Sequence, residues 1–599
     1  MRWLALILIV LASHITSAAA SGANIPAAAP AVAVAGTFTI LCYHEVRDDV
    51  RDYPDPYAVD AAALVRQFAW LRGNGYTPVS LDEIVAARQG GKPLPAKAVL
   101  LSFDDAYLSF YTRVYPLLQE YRFPAVLGVV GVWIDNPHGG PVMYGEKGTV
   151  INASFPTWIQ LREMVASGLV EIASHTYDLH HGVPANPQGN MEPAATARVY
   201  DTATGTYEDD AHWRVRVQAD LARNANVIER ETGRRPRAIV WPYGSYNDEL
   251  VRMAGELGMS IALTLDDGAN TPDVPLTALR RTLIEHNPAL AEFTTEVRGP
   301  LYPEPIRVVQ VNLDDVYSAD PTQQERNLSA LLDRIEVLKP THVYLRAIAD
   351  TPGDGAAGAA YFPNGHLPLR GDLFNRVAWQ LETRNDVKVF AVLPVTGFRL
   401  PQNAVAEIYE DLARYANFDG IVFDDNLQPD KVEDTGTLEF TRQLATHMRA
   451  FRAPLKTVRT MNIDLPPANQ PGMVAAPQNT QLFVAFASAY DYLGLVVTPT
   501  RENASSSDSW LTALGTRMGR APNDPDMWRK VVFILKNSAQ PTDREARKLL
   551  PRLMKILQLG GALNFGYAPD DFLHNNPPLA QMAPAMSLRV SPPALRNKE

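Results

Sequence analysis

Val99-Leu100-Leu101-Ser102-Phe103-Asp104-Asp105 is the stretch from which the fold of this chain is read. Its apolar run has the length and composition of a strand buried on both faces, and it ends abruptly in two carboxylates. A second apolar run, Val170-Glu171-Ile172-Ala173, passes in the same way into Ser174-His175-Thr176-Tyr177-Asp178-Leu179-His180. If the two strands are neighbours, Asp105, His175 and His180 meet at their ends, with Asp104 beside them as a spare carboxylate. Two imidazoles and one carboxylate, with positions left for water and substrate, suit a catalytic divalent metal. The histidines are five residues apart, which does not put them on one helix face, so a loop leaving the strand is the expected carrier.

Outward from this stretch, apolar runs and helical patterns alternate. Strands are expected near 37–42, 76–79, 98–103, 124–131, 169–173, 237–241 and 259–264, and helices near 60–73, 108–120, 156–167, 213–231 and 247–257. Asp60 is a plausible N-cap, and Gly73, Gly168, Gly233 and Gly258 fall where helices should stop. This alternation predicts an α/β fold with a mostly parallel sheet or barrel, reactive groups gathering at the C-terminal strand ends. The polar, turn-rich insertion 182–212 is expected to be an ordered loop beside the site. Residues 286–305, with prolines near both ends and weak periodicity, read as a linker. Eight more strand-like runs follow, near 307–312, 342–347, 387–393, 419–423, 456–460, 493–498, 530–535 and 561–565, matching a C-terminal (β/α)8 barrel over 306–599.

At 599 residues the chain exceeds one hydrophobic core, in keeping with two domains. Residues 1–20 read as a signal peptide, from Arg2 through the apolar run Trp3 to Ala12 to the small residues Ser17-Ala18-Ala19-Ala20. Residues 21–36 read as a flexible Ala/Pro-rich lead-in, and 37–285 as the first folded domain. The single cysteine, Cys42, allows no intrachain disulfide and does not sit where a lipid anchor would; a buried thiol is expected. A net charge of −11 argues against nucleic acid and anionic membrane surfaces as partners.

The segments Thr39-Ile40-Leu41-Cys42-Tyr43-His44-Glu45-Val46, Leu101 to Asp105, Ser174 to His181, and Val240-Trp241-Pro242-Tyr243-Gly244 together resemble the polysaccharide deacetylase family, carbohydrate esterase family 4. With Asn186 to Pro193 and Tyr200-Asp201-Thr202, they resemble the branch that N-deacetylates the biofilm polymer poly-β-1,6-N-acetyl-D-glucosamine. The resemblance covers nearly the whole chain after the leader. It implies a distorted (β/α) barrel at 37–285, metal ligands Asp105, His175 and His180, and Asp104 as general base. The metal would be zinc, cobalt or nickel. The resemblance further implies a periplasmic enzyme that releases acetate from a polymer during export, with an outer-membrane export porin as a candidate partner; the protein itself is expected to be a monomer. The family's usual C-terminal Leu-x-x-His motif is not evident, so His44 is taken as the general acid that protonates the departing amine. A Tyr-His motif placed first implies a circularly permuted strand order. The family's Asp-Asp-Gly is Asp104-Asp105-Ala106 here; alanine gives up easy access to positive φ, and the motif is expected to survive. Trp241 and Tyr243 are expected in a sugar-binding groove wall, Trp241 being equally readable as core.

In the second half, Asp314-Asp315, Asp424-Asp425, Asp464, Asp491 and Asp570-Asp571 follow or adjoin strands. In a barrel they would open on one face, with Asp424 and Asp425 as catalytic candidates for glycoside hydrolysis and Asp314, Asp315 and Asp491 as binding acids. Asp464 reads as a simple helix cap. Tyr317, Trp379, Tyr492 and Tyr567 are candidates for stacking on sugars. By resemblance this half is a glycoside-hydrolase-like domain that binds, and in the stronger version cleaves, partly deacetylated chains. Glycoside hydrolysis as the main activity, deacetylation of chitin oligomers or peptidoglycan, and a non-catalytic carbohydrate-binding role are the alternatives.

Overall fold

The computed structural model describes residues 35–588 with interruptions, the longest at 426–434, 464–479, 513–528 and 538–547. Residues 1–34, which hold the expected signal peptide and most of the lead-in, lie outside the described residues, as does Asp464.

The first half is built on β1 (Phe38–Tyr43), β2 (Thr77–Pro78), β3 (Ala98–Phe103), β4 (Ala125–Val129), β5 (Val170–Ser174), β6 (Ala238–Val240), β7 (Ile261–Leu263) and β8 (Thr282–Leu283). They pair in parallel in the order β7-β6-β5-β4-β3-β1-β8, with β2 also on β3, and the path does not close into a ring. This is the distorted barrel that was expected. Every residue of β3 and β4 is buried, as strands covered on both faces require. Alternation then sorts the side chains. Leu41, Leu101, Phe103 and Leu127 face the surrounding helices. Ile40, Leu100, Val126 and Ala173 fill the inside of the curved sheet. Two residues further along each strand, the same inward face carries Cys42, Ser102 and His175, and two further again His44 and Asp104.

Three helices bear on the site and on the joint between domains: α1 (Asp210–Thr232), α2 (Leu290–Arg298) and α3 (Phe374–Asn385). Helix α2 lies inside the stretch read as a linker. It buries Phe293 and Val297 in the same cluster as Leu64 and Phe68, with the Phe293 ring edge-on to Trp70 at 5.9 Å. The first unit therefore extends through Arg298.

The second half closes as a barrel of eight parallel strands: β9 (Arg307–Asn312), β10 (His342–Arg346), β11 (Lys388–Leu393), β12 (Gly420–Phe423), β13 (Lys456–Ile463), β14 (Tyr492–Val497), β15 (Val531–Lys536) and β16 (Asn564–Ala568). Val308, Tyr344, Phe390, Val422, Val458 and Ile534 pack its interior.

The insertion after His181 forms two antiparallel hairpins, 182–184 with 191–193 and 200–201 with 206–207. It also fastens the two halves. Trp379 of α3 donates Nε1–H to the Met191 carbonyl at 3.0 Å, Gln188 donates to the Asp372 carbonyl at 2.9 Å, and the Tyr207 hydroxyl donates to the Asp372 carboxylate at 2.5 Å. Trp379 is thus a joint residue and not a sugar platform. Glu192 is buried in this joint near Glu382 and Asp419, with Arg452 as the cation that acts on all three. Burial, only partly offset by Arg452 and Asn375, pushes the Glu192 carboxyl up from 4.5 to about 7. A raised folded-state pKa means that the protonated form is favoured in the fold. Stability is therefore full below the unfolded value and declines as pH rises toward 7, by about 3 kcal/mol for this group. Denaturant unfolding at pH 5 and pH 8 is expected to show that decline. Glu192→Gln should flatten it, leaving the residual slope to Glu382 and Asp419; an unchanged slope would show that Glu192 titrates normally.

Candidate metal and acid–base site

Asp104 and Asp105 leave β3 in opposite roles. The Asp104 amide donates to the Tyr43 carbonyl at 2.9 Å, continuing the β1–β3 ladder, which turns its carboxylate inward. There Oδ1 accepts 2.7 Å from Arg281 Nη1, while Oδ2 lies 3.5 Å from Cys42 Sγ and 4.0 Å from His44 Nε2. Arg281 is fully buried and also donates to Ser102 Oγ at 2.8 Å and the Thr264 carbonyl at 2.9 Å. Burial pushes the Asp104 carboxyl up, but Arg281, with His175 and His44, outweighs it and holds the group below the usual carboxylate range. Asp104 stays ionised in a dry place, which is the state a base requires.

Asp105 and Ala106 then take φ of 67° and 50°. Alanine does occupy the left-handed region that the motif demands, against the expectation that it would give it up. The strain, of order 1–2 kcal/mol per residue, is held by full burial of Ala106. The turn brings Asp105 Oδ1 to 3.2 Å from His180 Nε2 and 3.4 Å from His175 Nε2. Burial would raise the Asp105 carboxyl; the two imidazoles hold it well below its ordinary value. His175 Nδ1 lies 2.8 Å from the Val240 carbonyl and so serves as the donor, directing Nε2 at the cluster.

The loop between the histidines is set by α1. Asp220 accepts from the Tyr177 and Asp178 amides, both at 2.8 Å, and Asn224 donates to the Val129 carbonyl at 3.0 Å and Ser174 Oγ at 2.8 Å. Thr176 bends at φ 67° to allow the five-residue spacing. These donor atoms fit a divalent ion: all three lie within 4.8 Å of one another, and edges of 3.2–3.4 Å match metal–ligand bonds of about 2.0–2.2 Å in a tetrahedron.

Around the cluster, the Tyr243 ring lies 4.6 Å from His180 and is 44% exposed, and the Trp133 ring packs on the other side at 5.0 Å. Tyr243 has φ 58°, and the next residue must be glycine: a Cβ on Gly244 would stand 2.8 Å from Leu265 Cβ. Tyr57 covers His44 at 5.0 Å between rings.

The expected groove residue Trp241 is not in the groove. It is fully buried with Ile239, Trp213 and Leu250 on the outer face of the sheet, because it shares the parity of Ile239. Arg281, Asp220 and Trp133 were not anticipated. Arg281 precedes a two-residue strand that has no periodicity to read, and the pair Arg280-Arg281 was the one available signal.

In the second barrel the acids divide. Asp424 accepts from Thr460 Oγ1 at 2.7 Å and lines a cavity of about 130 Å³ with Asn312, Arg346 and Lys536. It is the one carboxylate among that cavity's described lining residues. Asp425 points away from it, accepting from the Val395 amide at 3.0 Å, the Thr396 amide at 3.1 Å and Arg459 at 3.2 Å, so it anchors a loop. Asp314 accepts from the Tyr361 hydroxyl at 2.7 Å and Arg370 at 3.0 Å. Burial and then Asp571, Asp314 and Asp570 push Asp315 up to about 6. Tyr317 is half-buried against the core, beneath the Arg370 guanidinium at 4.9 Å. Tyr567 is fully buried and donates to Asp570 at 2.9 Å, so it is core. Asp491 and Tyr492 stand at the N-terminal end of β14, the end opposite Asp424, where Asp491 accepts from the Thr457 amide at 2.9 Å; neither can face the same cleft.

A cavity of about 420 Å³ lies at the other end of the first sheet, between Ser80, Leu100, Val126, Ile172 and Arg237. None of Asp104, Asp105, His175, His180 and His44 lines it, and the charge of Arg237 is met there by Glu171 and Asp82.

Comparison with known proteins gives two family matches: polysaccharide deacetylase over residues 91–262, and "hypothetical glycosyl hydrolase family 13" over 310–406 and 435–568. A poly-beta-1,6-N-acetyl-D-glucosamine N-deacetylase of Escherichia coli is 34% identical over 629 aligned positions, covering 92% of each chain. One from Staphylococcus epidermidis is 25% identical, covering 41% of this chain and 78% of its own. Among solved structures, the BpsB deacetylase domain from Bordetella bronchiseptica is 48% identical over 41% of this chain and 95% of that one, with a TM-score of 0.39.

Proposed function

Given identity of 34% along 92% of its length, the chain belongs to the poly-β-1,6-N-acetyl-D-glucosamine N-deacetylase family, and we propose that it removes N-acetyl groups from that polymer, with Asp104, Asp105, His175, His180 and His44 as the working side chains. The observation that carries the residue assignment is the division of labour after β3. One carboxylate is committed to two imidazoles; its neighbour is kept ionised by Arg281 and faces the cleft.

Asp105, His175 and His180 would hold a divalent ion, which when bound polarises the amide carbonyl and lowers the pKa of water. Asp104, fixed through Oδ1, offers Oδ2 to take the proton of the attacking water. A backbone N–H near Tyr243, whose ring stands 4.6 Å from that of His180, is the candidate donor to the oxyanion. His44 donates its proton to the glucosamine nitrogen as the C–N bond breaks and acetate departs. The exposed face of Tyr243 offers a platform for the sugar ring.

The deciding measurement is acetate release from β-1,6- and β-1,4-linked N-acetylglucosamine oligomers, with and without a chelator. Release from the β-1,6 oligomer, lost on chelation and restored by zinc, cobalt or nickel, is expected. Faster release from the β-1,4 oligomer would assign the enzyme to chitin-like substrates instead. The Arg2-led apolar start supports a periplasmic location during export of a biofilm polymer, and no helix among the described residues is long and apolar enough to cross a membrane.

A second activity is supported by Asp424 at the C-terminal mouth of the closed barrel, most of whose residues, though not Asp424 itself, fall in the glycosyl hydrolase family match. Incubating partly deacetylated polymer with the full-length Asp104→Asn protein separates the two: shortened chains without acetate are expected if this barrel cleaves, and chains of unchanged length if it only binds.

A further inference from the structure

We propose that Cys42, His44 and Asp104 form a second metal site, suited to a soft divalent cation such as zinc or cadmium and distinct from the Asp105–His175–His180 cluster. The backbone register brings these groups together. Cys42 pairs with Ser102 across β1 and β3, and period-2 alternation puts His44 and Asp104 on the same inward face just beyond. Their donor atoms lie within 4.8 Å of one another. Oδ2 of Asp104 is 3.5 Å from Cys42 Sγ and 4.0 Å from His44 Nε2. A tetrahedral site with bonds of about 2.0–2.3 Å has edges of about 3.3–3.6 Å; the sulfur–carboxylate edge already meets this, and the imidazole closes the site by moving inward.

The donor set decides the class of ion. Sulfur with nitrogen favours zinc or cadmium over magnesium or calcium. On binding, the S–H bond breaks, its proton leaves to solvent and a sulfur–metal bond forms. Thiolate and carboxylate then bring two negative charges, while Arg281 stays on the far oxygen, Oδ1, at 2.7 Å. Access is from the His44 side, where the side chain is 15% exposed. An ion here occupies both the acid and the base assigned above, so it blocks deacetylation; that consequence rests on the proposed function, whereas the site itself does not.

The chain contains one cysteine, so cadmium–thiolate charge-transfer absorption reports Cys42 alone. The full-length protein, loaded with its catalytic metal, is titrated with cadmium. A band saturating at one equivalent is expected, absent in Cys42→Ala and weakened at least about tenfold in midpoint by His44→Ala, with thermal midpoints confirming that both variants are folded. No band at tenfold excess, or a His44→Ala titration identical to the parent, overturns the site. A saturating band with undiminished acetate release upholds the site and instead removes His44 and Asp104 from the reaction.

Discussion

Asp104→Asn is expected to lower acetate release by about 10²–10⁴-fold while the protein retains its metal. The substitution keeps the shape of the side chain and leaves an oxygen to accept from Arg281, but it removes the negative charge on Oδ2, the oxygen that faces His44 and Cys42 instead of the imidazole pair. Asp105, His175 and His180 are untouched, so metal content measured on the purified variant should match the parent. Rate and metal content together distinguish loss of the base from loss of the ion. A variant that binds metal and still works at the parental rate removes Asp104 from the chemistry.

Arg281→Met should be the most damaging single change to stability. It leaves the Asp104 carboxylate buried without its cation and strips a donor from Ser102 Oγ and from the Thr264 carbonyl. Breaking one side of a buried pair costs about 3–5 kcal/mol, a large share of the 5–15 kcal/mol by which domains are stable. Denaturant unfolding followed by intrinsic fluorescence measures it. The double variant Arg281→Met with Asp104→Asn is expected to recover much of the loss, because the orphaned charge is gone. A loss below about 1 kcal/mol, or no recovery in the double variant, means that water compensates Asp104 and the electrostatic account of the base fails.

Legibility followed burial. β3 and β9 are recovered to the residue from the sequence: β3 is buried along its whole length and reads as an apolar run, and the valines of β9 mark it although Gln310 and Asn312 interrupt them. The cluster of Asp105, His175 and His180 is legible because its members stand where apolar runs stop. Errors arose where one residue of parity or one strand end matters. Trp241 follows a three-residue strand and its face could not be counted; Asp491 adjoins β14 at its start, and that reverses the end of the barrel on which it sits. The helix Leu81–Arg88 has too little periodicity to read, although Ser80 and Glu83 form a capping box, because its buried apolar face is reduced to Leu81 and Ile84. Helix α2 opens at Ala289, without a polar capping side chain, amid prolines that suggested a linker. Arg281 acts through a contact 177 residues away in sequence, which no local pattern encodes.

The segment that starts at Gly182, two residues after His180, also clasps α3 and Asp372 of the neighbouring barrel. Its length is consequently pinned at both ends. Adding or deleting residues between Gly182 and Tyr207 would pull on the ligand loop and on the seam at once. Evolution can redecorate the tips of these hairpins, but resizing them demands simultaneous accommodation in two barrels, so substrate range in such enzymes should drift by side-chain replacement sooner than by insertion.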